Sequence, residues 1–520
     1  MKKLIKNWKT TILPLVLIAL VALGIRIYNL TLLPIFGDEA IYIRWAQVMR
    51  AEPSLRFLPL SDGKQPLFMW FIIPLFKLFS DPLFAGRMVS VISGLSTTIG
   101  VFALTYLLFR SKKTSLIAAV IYALSPFSVF FDRLALADSL LTAFGVWTLF
   151  FAVLTARSRR LDFAMIAGFA LGGALLTKSP GIFFAIFLPT TWILSPFPKT
   201  VKSRLIHLVK LGLLTSVTLL IGYAMYNILR LGTNFQMIAI RNQDYVYGLR
   251  HLLEFPFNPF VSHIKQIFGF FLLLGPYSLI ALFALGIIAG FKKDLKATLI
   301  LVVWAFFPIL AGAEYSKTMT ARYVIFSLPF IVSVSAASFV GERNNLRKLA
   351  TVVVIFFLLH SLVIDLKLLN DPTSVALPRS ERSGYLEEWT AGTGIREVSE
   401  YIRAEYMADP RQKIVVGTEG FFGTLPDGLQ LYLNDRPEIV VIGVGQPIWN
   451  NPKSLIESKE AGNKTYMVVN STRYFGDPDR EGLRLVAVYP KAVKPDGGRE
   501  SLLFYELTEV SLAKKSLETK

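Results

Sequence analysis

Residues Thr10 to Tyr42 read TTILPLVLIALVALGIRIYNLTLLPIFGDEAIY. The first nineteen carry one charge, Arg26, and an adjacent acid pair, Asp38-Glu39, follows about ten residues after they end. A helix needs about 20 apolar residues to cross the hydrocarbon core of a bilayer, so 10–28 is long enough to span. It is long for the apolar region of a cleavable leader, and no A-x-A site follows it, so it reads as a retained first helix. Working outward, the pattern recurs at 84–109, 114–131, 139–156, 162–177, 180–196, 207–229, 264–291, 297–313, 323–340 and 349–366, for eleven expected spans. The apolar stretch 66–79 is short and suits an interfacial or re-entrant helix.

Charge supports this division. The 520 residues hold 55 Lys+Arg and 36 Asp+Glu, net +19. Residues 1–367 hold 36 basic and 14 acidic groups, and 368–520 hold the remaining 19 and 22. Soluble domains carry about 25% charged residues; this chain has 18%, with 53% hydrophobic residues. That excludes a disordered chain and does not suit a soluble nucleic-acid binder. If 66–79 does not cross, six basic clusters share one side: Lys2/Lys3/Lys6/Lys9, Arg110/Lys112/Lys113, Arg157/Arg159/Arg160, Lys199/Lys202/Arg204, Lys292/Lys293/Lys296 and Arg343/Arg347/Lys348. If it did cross, five of the six would move. The positive-inside rule then places the N-terminus in the cytoplasm and residues 368–520 outside it. The domains expected are a transmembrane catalytic part, 1–367, and an extracytoplasmic α/β domain, 368–520.

There is no cysteine, which removes disulfides, thiolate metal sites and cysteine nucleophiles; four scattered His residues do not suggest a His-rich metal site. The outer segments hold what chemistry the chain offers. Asp38 and Glu39 open an amphipathic stretch and suit a general base, or simply an acidic helix N-terminus. Asp138 opens a span, as a substrate-orienting carboxylate or as an N-cap. Arg133 lies between Asp132 and Asp138 and could pair with them. Lys64, Lys178 and Arg322 sit where a lipid phosphate would lie, or snorkel to the interface. Tyr42, Arg241, Tyr245 and Tyr323 are further outer-side candidates for substrate contact. Beyond residue 370, strands at 413–417, 438–443, 464–469, 483–488 and 501–507 alternate early on with helices at 394–407, 425–433 and 452–460, an α/β layer pattern. No G-x-G-x-x-G follows a strand. Residues 371–389 read as a polar linker or lid.

Four motifs in order resemble one family: Gly37-Asp38-Glu39-Ala40-Ile41-Tyr42, Lys64 to Trp70 (KQPLFMW), Arg133 to Asp138 (RLALAD) and Leu176 to Pro180 (LTKSP). Together they are similar to the GT-C glycosyltransferases, within them the protein O-mannosyltransferase and aminoarabinose (lipid A) transferase group, over roughly residues 10–200. Arg322-Tyr323 is a looser match. Gln65 stands where the pattern has Pro, and Ser179 where it has Gly; the oligosaccharyltransferase Trp-Trp-Asp signature is absent.

The resemblance implies a polytopic α-helical membrane enzyme. It would take a sugar, hexosyl or pentosyl, from a polyprenyl-phosphate donor to a hydroxyl on protein, lipid or cell-envelope glycan, inverting the anomeric centre. It implies Asp38 as base, with Glu39 beside it, Asp138 near the acceptor, and Lys64 and Lys178 on the donor phosphate. Arg133 and Arg322 are the further cations for that phosphate. No cofactor is required, although Asp38 and Glu39 could share a divalent ion. The alternative is a flippase or transporter of a lipid-linked sugar, which would need a polar path through mid-membrane and related halves. A binding module on a membrane anchor ranks behind both, because eleven spans exceed what an anchor needs.

Overall fold

The structure, a computed structural model, describes residues 2–341 and 345–510. Glu342 and Arg343 lie outside the described residues, as do the side chains of Lys2, Lys3, Lys6 and Lys9. The chain divides into two compact units. A helical unit comprises Met1–Leu30, Ser54–Phe71 and Arg87–Pro378; a sheet unit comprises Thr31–Pro53, Ile72–Gly86 and Arg379–Lys520. The contacts therefore do not follow a single cut after residue 367: two early segments, one carrying Asp38, group with the C-terminal sheet.

Eight helices among the described residues are long and apolar enough to cross a membrane: Thr10–Ile27, Pro82–Phe109, Ala137–Ser158, Val201–Leu231, Pro276–Lys293, Leu295–Tyr315, Ala321–Phe339 and Asn345–Asn370. The other three expected spans are shorter or broken. Residues 114–131 split at Leu124-Ser125, ahead of Pro126, into Lys112–Ala123 and Pro126–Phe131, because proline cannot continue the hydrogen-bond ladder. Leu161–Thr177 and Ser179–Leu194 are the short apolar pair. The expected span 264–291, which supplies Pro276–Lys293 among the eight, breaks at Leu274-Gly275. The helix Leu67–Leu75 has nine residues and is too short to span.

The helical unit needs a bilayer for a physical reason. Asn345–Asn370 leaves Val352, Ile355, Phe356, Leu359, Leu362 and Val363 exposed, and the first helix leaves Leu13, Leu17 and Leu20 exposed. Such a surface is unfavourable in water and suited to lipid. This is a multi-pass membrane protein. Helix pairing relies on small residues, as expected where apolar burial gives helices no preference for each other over lipid. A Cβ on Gly172 would stand 2.3 Å from Met225 Sδ, and one on Gly286 would stand 2.1 Å from the Val334 carbonyl.

The sheet unit has five strands, β1 (Ile414–Thr418), β2 (Ile439–Gly443), β3 (Lys464–Asn470), β4 (Leu483–Pro490) and β5 (Ser501–Leu507), in the order β2-β1-β3-β5-β4. β2, β1 and β3 are parallel; β5 pairs antiparallel with β3 and β4. The crossovers carry Asp427–Tyr432 and Lys453–Glu460. Leu455 and Ile456 pack on one sheet face with Met467, Val469 and Tyr505. On the other face Tyr401, from the helix Ile395–Ala408, meets Tyr466 and Phe504 at ring-centroid distances of 6.3 and 5.3 Å. All five strands and three helices fall within a few residues of their expected places.

The expected linker or lid at 371–389 is ordered. Its residues 379–387 wind into a tight helical turn around a fully buried carboxylate, Glu387, held by Arg382 at 2.7 Å and by Arg379.

Candidate active site

The sheet unit holds the first motif. Gly37–Ala51 forms a helix because an acid pair sits in its first turn, where the helix dipole favours negative charge. The helix is fastened to its own unit: Gln47 Nε2 donates to the Leu431 carbonyl at 2.9 Å, and Trp45 lies 5.6 Å from the Phe422 ring. Glu39 is completely buried, and its carboxylate accepts the Phe36 N–H at 3.0 Å. That is the local, helix-starting role expected of an acid pair, and it engages Glu39 in the helix start rather than in the chemistry. Asp38, one residue earlier, is half-buried. Tyr42 is buried and stacks on Trp45 at 6.1 Å. The two acids of the motif thus divide: one holds the helix, and the other keeps partial access to solvent.

The helical unit holds the remaining motifs. Asp138 lies in the first turn of Ala137–Ser158, and Lys178 at the C-cap of Leu161–Thr177. These two helix ends meet, and Lys178 Nζ reaches Asp138 Oδ1 at 2.6 Å. The carboxylate is almost fully buried and the ammonium a quarter exposed, so the pair opens on the lysine side. Lys178 Nζ also stands 5.0 Å from the Tyr323 ring centroid, and the Arg322 guanidinium 5.5 Å from the same ring. Asp138, Lys178, Arg322 and Tyr323, four separate expectations from sequence, are one cluster.

A second group adjoins it. Lys64 Nζ lies 4.9 Å from the Tyr245 ring. Arg241 pairs with Asp62 at 2.8 Å and Asp244 at 2.6 Å, and Asp62 raises its pKa further above the ordinary guanidinium value. With both carboxylates on it, Arg241 fixes the segment before Lys64 rather than offering a free cation. Gly63, with φ of 69°, adopts the left-handed conformation glycine permits and lets the turn close onto Arg241. The two groups are joined by Gln65, whose Nε2 donates to Ser179 Oγ at 2.9 Å; Ser179 also lies 3.4 Å from Asn242 Oδ1. The two departures from the motif pattern, Gln65 and Ser179, are therefore each other's partners. Asn242 escaped the sequence reading; its only signal was its place beside Arg241 on one short helix.

Arg133 is the clear correction. Its Nη1 donates to the carbonyls of Ile25, Arg26 and Tyr28 at 2.8, 3.1 and 2.6 Å, and its Nη2 to Asn29 at 2.9 Å. It satisfies the carbonyls left open where the first helix ends, and it is buried there. Nor does it pair with Asp132, which binds Arg26 at 3.0 Å in a pair with no solvent exposure on either side. Its guanidinium is taken up by the end of the first helix and is not offered to a phosphate. Among the described residues no cluster of three His, Asp or Glu side chains could hold a metal ion.

Residues 63–221 match the family model described as dolichyl-phosphate-mannose-protein mannosyltransferase. Over nearly its whole length the chain is also similar to the crystal structure of ArnT from Cupriavidus metallidurans bound to undecaprenyl phosphate, with 17% identity, 96% of this chain and 98% of that one covered, and a TM-score of 0.56. The fold is GT-C. The apo state of the same ArnT gives 16% identity, the same coverage and a TM-score of 0.52. The archaeal oligosaccharyltransferase AglB from Archaeoglobus fulgidus, in complex with an inhibitory peptide and a dolichol-phosphate, gives 14% identity, coverage of 97% and 75%, and a TM-score of 0.47. A search of curated protein sequences finds no match. The GT-C resemblance read from four motifs agrees with both the family model and the fold, and the family model covers Lys64, Asp138 and Lys178 of the described cluster.

Proposed function

We propose that this GT-C protein is a membrane glycosyltransferase that moves one sugar, hexosyl or pentosyl, from a polyprenyl-phosphate donor to a hydroxyl acceptor, inverting the anomeric centre. The observation that carries this reading is the Asp138–Lys178 pair with Arg322 and Tyr323, at meeting helix ends in a bundle of the ArnT fold. A leaving lipid phosphate gathers negative charge as its bond to the sugar breaks, and cations preorganised at that position stabilise it. Lys178, Arg322 and Lys64 are assigned to the phosphate. Asp138 is assigned to orient Lys178, whose ammonium would otherwise be free to rotate. Asp38 is assigned as the general base.

In the step itself the acceptor oxygen attacks the anomeric carbon and the carbon–oxygen bond to the phosphate breaks. The phosphate oxygen keeps that electron pair, and the hydroxyl proton passes to the Asp38 carboxylate. No cofactor enters this balance. The distribution of the six basic clusters supports an extracytoplasmic active face, with the N-terminus in the cytoplasm. The acceptor is a hydroxyl on protein, lipid or envelope glycan. The test is a proteoliposome assay with polyprenyl phosphate carrying a labelled sugar, followed with envelope extract as acceptor. The reading expects label to leave the lipid and become covalently bound to acceptor. Label that crosses the bilayer still attached to its lipid would contradict it and favour a transporter.

A further inference from the structure

We propose that the sheet unit carries a saccharide-binding cleft of its own, at the carboxyl ends of its parallel strands, that takes a pyranose ring. Three independent observations meet there. The first is topology. In the order β2-β1-β3 the chain leaves β1 toward one side and returns past it to the other, which makes the ends of β1 and β3 a topological switch point. Open α/β sheets bind ligands outside the carboxyl ends of their strands at such points.

The second is a cleft at this edge, about 500 Å³ in volume, a size ordinary for small-ligand sites. Thr472, Arg473 and Phe475, which line it, directly follow β3, and Pro447 follows β2. The loops are held in register: Ile448 N donates to the Arg473 carbonyl and Phe475 N to the Ile448 carbonyl, both at 2.9 Å. Glu419, just past β1, receives the backbone and side-chain N–H groups of Asn470, each at 2.7 Å. Buried Lys491 donates to Asn470 Oδ1 and, at 2.9 Å, to the Glu388 carbonyl. This buried, hydrogen-bonded set ties down Asn470 and the Glu388 carbonyl, next to the lining residues Thr472 and Trp389.

The third is the chemistry of the walls. Trp389 and Phe475 are exposed aromatics; Phe475 stacks on Trp449 at 4.8 Å, and the Arg473 guanidinium sits 4.7 Å over the Trp389 ring. Two carboxylates, Glu388 and Glu500, and two cations, Arg473 and Lys494, share the lining. A free anion would meet the carboxylates, and a cation would meet Arg473 and Lys494. A neutral ring with an apolar C–H face and hydroxyls that both donate and accept matches all of them. This site does not depend on the roles assigned to Asp38 or Lys178.

The test uses the full chain in nanodiscs prepared without sugar-headed detergent. Saturation-transfer NMR would be run with manno-, gluco- and galacto-configured methyl pyranosides and their trisaccharides, with inorganic phosphate as competitor. The proposal expects ring-proton signals from at least one configuration, not displaced by phosphate. Trp389→Ala and Arg473→Ala should each weaken binding about tenfold, the scale of losing one stacked aromatic or its cation partner. Their melting temperatures should stay unchanged; Lys494→Ala serves if either fails to fold. No binding from the whole panel, or binding that survives these substitutions, would overturn the proposal. So would binding lost instead in Lys178→Ala, which would assign it to the transfer site.

Discussion

The two units treat their charged residues differently. In the helical unit, ion pairs lie at helix ends: Arg26–Asp132 without solvent exposure, Asp138–Lys178 opening on one side. In the sheet unit, Glu39 and Glu419 sit inside local hydrogen-bond frames, on Phe36 N and on Asn470, and the fully buried Glu387 is the exception, held by Arg379 and Arg382. A charge buried near a membrane needs a counter-charge or a function. A carboxylate buried beside loops and strand ends can be satisfied by backbone donors. The contrast separates residues that hold the fold from residues that can act. By that measure Arg133, Glu39 and Arg241 are structural, while Asp38, Lys178, Lys64 and Arg322 carry the proposed chemistry.

The largest effect should come from Asp38. Asp38→Asn keeps the shape and removes the proton acceptor, and a positioned base contributes about 10²–10⁴-fold. The expected outcome is a loss of transfer of that order, read as labelled product per minute, with donor binding unchanged. Next is the structural ion pair. Arg26→Met leaves Asp132 buried without its cation, and breaking one half of such a pair costs about 3–5 kcal/mol. Thermal unfolding in detergent should show a large drop, and wild-type stability would mean that the pair is not needed to hold the first helix.

The Asp138–Lys178 pair should couple. Asp138→Ala, Lys178→Ala and the double variant, compared by kcat/KM for the donor, should be non-additive by about 0.5–3 kcal/mol, as residues in direct contact are. Additive losses would show that the two act independently.

The smallest effect is a pH dependence in the sheet unit. Burial lowers the Lys491 pKa from 10.5 to about 8. Between those values the unfolded chain binds more protons than the folded one, so stability rises as pH increases through about 8 to 10.5. Melting temperatures across that window should rise in the wild type and flatten in Lys491→Met; parallel slopes would show that Lys491 does not titrate there.

How legible all this was in the sequence differs by unit as well. The strands were readable to within one or two residues because short β-rich runs alternate with helical spacing between turn residues, as at Ile414–Thr418 and Ile439–Gly443. The spans were readable where apolar length is unambiguous, and less so at 114–131, where one proline decides the break. The site was half legible. Motif order singled out Asp138 and Lys178, and a looser match Arg322, but the pairing of Asp138 with Lys178 and the meeting of both cations at the Tyr323 ring depend on helix ends brought together by packing. Arg133 was misread because an arginine between two acids looks like their partner; the open carbonyls of a helix more than 100 residues earlier are invisible to local sequence. The grouping of Gly37–Ala51 with the sheet could not be read at all, since no local pattern records which unit a helix packs on.

The division of labour itself is open to one direct measurement, the affinity of the purified protein for undecaprenyl phosphate in wild type, Asp38→Asn and Lys178→Ala. The account predicts wild-type affinity in Asp38→Asn and a loss of about tenfold or more in Lys178→Ala, the scale of one charge-assisted contact to phosphate. Unchanged affinity in Lys178→Ala, or a comparable loss in Asp38→Asn, would contradict it.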